Sequence, residues 1–193
     1  MSSDASNLTN QFLIAMPGMA DDNFTGAVVY LCEHTERGAL GLVINRASDI
    51  TLRNLFEKID LSLDRDDLAD QPVCIGGPVQ TERGFVLHKQ MADEGASYNS
   101  SLRISGTDLE MTTSKDVLEA MSQGGGPRKV LITLGYSGWA PGQLEDEIAR
   151  NGWLTVDAEP AVIFETPIEL RYQRALGLLG IDPSFLSAQA GHA

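Results

Sequence analysis

Two apolar runs, Ala27–Glu33 (AVVYLCE) and Ala39–Asn45 (ALGLVIN), are separated only by the polar loop His34-Thr35-Glu36-Arg37-Gly38. β-Branched residues crowd both runs, and they suit a packed, pleated surface. The short loop ending in glycine predicts a hairpin. Neither run alternates apolar with polar. Strands covered on one face alternate, whereas strands covered on both read as nearly continuous apolar runs. This hairpin therefore belongs inside the protein, with other layers on both sides.

The remaining chain supplies those layers. Leu8–Met16 opens the fold, with Phe12–Ala15 as a short buried strand stopped by Pro17 and Gly18. Thr51–Ile59 places Leu52, Leu55, Phe56 and Ile59 on one helical face. Pro72–Val79 and Arg83–His88 read as two strands forming a hairpin or close neighbours, followed by a loop over Met91–Ser101. Leu102–Ile104 and Leu109–Met111 are brief strands. Ser114 is expected to cap a helix striped by Val117, Leu118 and Met121, ended by Gly124-Gly125-Gly126-Pro127. Trp153–Val156 and Ala161–Glu165 read as strands. Thr166-Pro167-Ile168-Glu169 has the form of a capping box for a last helix closed by Gly180. Strands and helices alternate throughout, so the fold class is mixed α/β. One domain over 8–183 is expected, between short tails at 1–7 and 184–193.

The strand Lys129–Gly135 runs into Gly135-Tyr136-Ser137-Gly138-Trp139-Ala140-Pro141-Gly142, and an acidic helix follows from Gln143. In α/β proteins this strand–loop–helix order is where ligands are held. The loop is no phosphate cradle of a known type: it lacks the lysine and hydroxyl of a P-loop, and its glycine spacing is not that of a dinucleotide fingerprint. Glu145, Asp146 and Glu147 would repel an anion at the helix start. Tyr136 and Trp139 offer stacking faces. Gly76-Gly77-Pro78 follows another apolar strand in the same way. Gly76-Gly77-Pro78 reads first as a turn and Gly135–Gly142 as a turn or a pocket; the alternative is one recognition surface built from Gly76, Gly77, Pro78, Gly135, Tyr136, Ser137, Gly138, Trp139 and Gln143.

Nucleophiles are few. Ser137 lies between glycines, and Cys32 lies beside Glu33 and His34 but is read as facing away from both. A hydrolase would need one of them activated by His34 or His88. Cys74, between Val73 and Ile75, reads as core. The aspartates of 60–70 fail the EF-hand pattern and read as a solvated surface. Asp21, Asp22 and Glu33 read the same way. No metal site and no cofactor motif is expected.

Charge narrows the function classes. Net charge is -13, with 14 lysines and arginines among 193 residues and no basic run. Such a chain repels phosphate backbones, so direct nucleic-acid binding is disfavoured. No segment offers the ~20 apolar residues of a membrane helix. No basic residue precedes Phe12–Ala15, unlike a secretory signal. Two cysteines without metal or redox spacing suit a reducing compartment. A cytoplasmic protein without membrane contact is expected, with a protein or small molecule as partner.

Three blocks together are distinctive: Leu8–Asn45, Gly76–His88 (GGPVQTERGFVLH) and Leu134–Leu154 (LGYSGWAPGQLEDEIARNGWL). In combination they resemble the YqgE/AlgH family of bacterial proteins, over about Leu8 to Leu179. The resemblance implies a compact α/β fold with a strongly bent, barrel-like sheet and flanking helices. It also implies a proposed role in transcriptional regulation. It brings no catalytic residues with it. Given the charge, a regulatory role would be exerted through a protein or a small ligand.

Overall fold

A computed structural model describes residues 7–17, 24–90 and 98–182. The tails expected at 1–7 (Asn7 apart) and 184–193, the pair Asp21-Asp22 and most of the loop 91–101 lie outside the described residues.

One strongly curled, half-barrel sheet organises the molecule, with strand order β10-β1-β2-β3-β9-β6-β8-β7. The first half holds β1 (Gln11–Ala15), β2 (Val28–Thr35) and β3 (Gly38–Val43). The edge strand β10 (Trp153–Asp157) pairs antiparallel with β1. The second half holds β6 (Val79–Lys89), β7 (Ser101–Arg103) and β8 (Leu109–Thr112). β9 (Val130–Trp139) joins them: Leu131 and Ile132 pair with β6, while Ser137, Gly138 and Trp139 pair with β3. Beside it, β5 (Pro72–Ile75) runs parallel to β9 and antiparallel to β4 (Ala47–Thr51).

The period-2 alternation of strands assigns the core. Phe12, Ile14, Val28, Tyr30, Leu42, Leu87 and Leu131 share the inner face with Val162, Ile163, Ala175 and Leu176. The latter belong to α4 (Pro160–Phe164) and α5 (Arg171–Leu178), which plug the half-barrel. The outer face is covered in two parts. α3 (Gln143–Ala149) supplies Leu144 over Leu13, Val29, Leu31 and Val43. α1 (Leu52–Lys58) and α2 (Asp116–Ser122) supply Leu52, Phe56, Val117 and Met121 over Val86, Val130 and Ile132. Coverage on both faces is the reason the hairpin 28–43 is apolar at almost every position.

Several expectations change. Gly135–Trp139 is strand, so only 140–142 connect β9 to α3. β5 and β6 do not form a hairpin with each other, because β9 lies between them. Residues 160–164 are a helix, started by Pro160 in its first turn. The capping box at Thr166 is not formed: the Thr166 hydroxyl donates to the Ala161 carbonyl at 3.0 Å, and a 3₁₀ turn at Ile168–Leu170 precedes α5. Ser114 is not the cap of α2, which starts after Lys115; its hydroxyl bonds Asn99 and Asp116 instead. A box that was not expected forms at α1, where the Thr51 hydroxyl and Asn54 side chain each accept the other's backbone N–H.

Candidate functional site

The two glycine segments do meet. The Gly76 N–H donates to the Leu134 carbonyl at 2.9 Å, and the buried Ser137 hydroxyl donates to the Gly76 carbonyl at 3.0 Å. Backbone faces backbone here. A Cβ on Gly77 would stand 2.2 Å from the Tyr136 carbonyl oxygen, and one on Gly135 2.6 Å from the Gly77 oxygen. Gly77 (φ 155°) and Gly135 (φ 78°) hold backbones that a side chain resists. The bend at Gly135 falls where β9 passes from one half of the sheet to the other. Pro78 and Gly138 are exposed, and Tyr136 is half-buried with its ring edge-on to Phe85.

Trp139 is buried rather than presented. It stacks on Phe24 at 5.9 Å and meets Trp153 edge-on at 6.1 Å. Its indole N–H donates to Glu147 Oε1 at 3.1 Å, and that of Trp153 to the same oxygen at 2.9 Å. Gln143 caps this arrangement: its amide donates to Glu147 Oε2 at 2.9 Å and its Oε1 accepts from Ala140 N–H.

The nucleophiles and imidazoles are spent on other partners. A bulge between Leu31 and Glu33 reverses the strand parity. Cys32 keeps the inner face of Val28 and Tyr30, while His34, beyond the bulge, emerges on the α3 side and bonds Glu145. His34 Nδ1 accepts from the Leu8 N–H at 3.0 Å, which ties the entry of β1 to β2. Burial, and secondarily the charge of Glu33, pushes the Cys32 thiol far above its ordinary range, the opposite of an activated thiolate. His88 is fully buried in β6; its ring bonds the Lys89 carbonyl and the Thr112 hydroxyl, each at 2.7 Å. Ser137 and Cys32 therefore have no imidazole partner among the described hydrogen bonds. The described residues also contain no His/Cys/Asp/Glu group suited to a metal.

A cleft of about 650 Å³ opens at the far end of β6 and the start of β9. Tyr98, Pro127, Pro160 and Phe164 give it apolar walls, and Lys89, Arg128 and Lys129 bring three cations to it against, among the described residues, the single lining carboxylate of Glu165. Lys129 pairs with Glu165, and that bond holds the Glu165 carboxyl below its ordinary range. Lys89 stands 4.0 Å from exposed Asp108, a weakly coupled pair in water. The sequence shows no basic run; pairing β6 beside β9 assembles one from positions forty residues apart. Arg128-Lys129 is the local signal that could have pointed there. The backbone carbonyls of Gly125, Pro127 and Arg128 are fixed by the guanidinium of Arg65, at 2.8–3.0 Å. This gives the aspartate-rich segment 60–70 a structural task.

Tyr98 packs edge-on against His88, 5.5 Å between centroids, so the cleft wall rests on a buried imidazole. Burial holds His88 below its ordinary range, outweighing the Lys89 carbonyl and the Glu110 charge, which favour the cation. The unfolded chain takes up that proton near pH ~6.5 and the folded chain resists it. Stability contributed by neutral His88 is therefore present above that pH and is lost as pH falls toward the lower folded value. Urea midpoints measured from pH 8 to 5.5 are expected to fall, and H88Q to flatten the part of that fall nearest pH 6.

Comparison with known proteins then places the chain. A family model described as AlgH-like matches residues 12–184. The chain belongs to the AlgH-like family. A UPF0301 protein of Burkholderia cenocepacia (strain HI2424) is 65% identical over 191 residues, covering 99% of this chain and 98% of that one. A UPF0301 protein of Burkholderia ambifaria (strain MC40-6) is 64% identical at the same coverage. The solution structure of the AlgH protein from Pseudomonas aeruginosa is similar over the whole of both chains, with 48% identity and a TM-score of 0.77. Protein DIP2367 of Corynebacterium diphtheriae, at 23% identity and a TM-score of 0.60 over 80% of this chain and 78% of that one, shares the fold. The AlgH-like chain has no described helix long and apolar enough to cross a membrane.

Proposed function

We propose that this AlgH-like protein is a cytoplasmic, regulatory binding protein whose cleft at Lys89, Arg128 and Lys129 receives a small organic anion with a flat apolar body. One observation carries the reading. In a chain of net charge -13, three cations converge on a cleft whose walls are aromatic and proline rings. Apolar walls with a few placed charges are the usual make-up of a small-molecule site. The remaining surface discourages nucleic acid, so control of transcription would pass through the ligand-bound protein and a protein partner. Two free, buried cysteines suit a reducing compartment.

The probe is 1-anilinonaphthalene-8-sulfonate, a fluorescent aromatic anion. Saturable emission enhancement is expected with the folded protein. The double variant K89E/R128E should weaken it at least tenfold, equivalent to about 1.4 kcal/mol, with unchanged circular dichroism. Equal affinity in the variant would overturn the cleft as the site.

A further inference from the structure

A second cavity, of about 320 Å³, lies between β5, the start of β9 and the 163–171 segment. Its polar wall is Arg171, the first residue of α5, which is only 7% exposed. The guanidinium donates through Nε to the Thr166 carbonyl at 2.9 Å and through Nη1 to the Ile44 carbonyl. The buried Cys74 thiol also lines the cavity and faces the same Ile44 carbonyl, at 4.0 Å. No carboxylate of the described residues forms an ion pair with Arg171; Glu169 acts on it only from a distance.

A buried cation held only by carbonyl dipoles and a neutral thiol is electrostatically incomplete, because desolvation of a charge is offset fully only by an opposite charge. The thiol does not supply that charge: burial outweighs the attraction of Arg171 and keeps Cys74 protonated above its ordinary range. The rest of the lining is largely apolar, with Leu131, Ile163, Phe164 and Ile168, while the Gln71 amide on it donates to the Val130 carbonyl at 2.8 Å. Exposed Glu169, also on the lining, adds a negative charge that penalises a doubly charged guest.

We infer that this cavity is a binding site for a monocarboxylate with a compact apolar body, its carboxylate paired with Arg171 and its body against Ile163 and Phe164. The size suits a molecule such as benzoate, since ligand pockets begin near ~300 Å³. The site shares the Phe164 ring with the cationic cleft, but the inference does not rest on what that cleft binds.

The test is a heteronuclear NMR titration of the full chain with sodium benzoate at constant ionic strength, repeated with benzamide and inorganic phosphate. Benzoate is expected to shift the backbone amides of Cys74, Ile168 and Arg171 saturably. Benzamide, which lacks the charge, and phosphate, which carries too much, should bind at least tenfold more weakly. R171Q, checked by circular dichroism, should weaken benzoate at least tenfold. Absence of saturable shifts at these amides in the wild-type protein would overturn the inference, as would equal binding of benzamide. Because both of those readings use the unaltered chain, the result stands even where R171Q does not fold. Undiminished benzoate affinity in folded R171Q would also overturn it.

Discussion

Alanine at Gly77 is expected to be among the most damaging single-atom-group changes this chain can receive. The added Cβ would lie 2.2 Å from the Tyr136 carbonyl oxygen, 2.3 Å from its carbon and 2.4 Å from Ser137 Oγ. Two of these three are backbone atoms of β9, which cannot rotate aside. Moving β9 would disturb its pairing with β3 and with β6 together. The residue also sits at φ 155°, a region L side chains rarely adopt. Strain of that kind costs about 1–3 kcal/mol, and overpacking adds about 1–3 kcal/mol more. Against a total stability of about 5–15 kcal/mol, the variant should melt about 10 °C lower, or fail to accumulate folded. Gly84→Ala is the control. It lies in the strand that follows, β6, and its Cβ would meet nothing within 4 Å. Thermal melts followed by circular dichroism should leave G84A within about 2 °C of wild type. A G77A melt matching G84A would contradict the packed-backbone account of this junction.

Glu147→Ala should act through the aromatic cluster rather than the backbone. Glu147 Oε1 accepts both indole N–H groups, and Oε2 accepts the Gln143 amide. Removal leaves two indole donors without an acceptor beneath α3, at about 1–3 kcal/mol each where water cannot reach them. A loss of about 3 kcal/mol is expected in urea unfolding. The only two tryptophans of the chain are these two. Their fluorescence should therefore shift to the red in the native state as water enters. E147Q is expected to fall between: its one carbonyl oxygen can still take both indoles, but its amide then faces the Gln143 amide, donor against donor. Native emission unchanged in E147A would show that the shared carboxylate does not hold the indoles in place.

Local signals were readable along the chain where neighbours in sequence decide the outcome. The 28–43 hairpin, α1 and α3 after Gly142 follow from apolar period and glycine. Failures came where distant segments decide. β9 separates β5 from β6, and nothing within Pro72–His88 announces a strand that arrives some fifty residues later. Residues Ala161–Glu165 are too short an apolar run for period to tell strand from helix, and Pro160 settles it as a first turn. Tyr136 to Trp139 read as loop because of their glycines, yet those glycines are what lets a strand bend and lie against Gly76 and Gly77. Cys32 and His34 face apart for a reason sequence does not display: residues two apart on a regular strand share a face, and only the bulge separates these two. The cationic cleft was invisible for the same reason as β9: Lys89 and Lys129 meet only after long-range pairing.

The pairing of β1 with β10 has a consequence for how the protein is made. A nascent chain leaves the ribosome with Gln11–Ala15 about 140 residues ahead of its partner Trp153–Asp157. β3, β5 and β6 likewise wait for Val130–Trp139. Throughout most of translation, buried strands with apolar residues on both faces have unpaired edges and no covering helix. Topologies closed by such distant contacts fold slowly and expose aggregation-prone edges while they do. Expression yield in this family should therefore respond more to translation speed and chaperone supply than the stability of the finished fold would suggest.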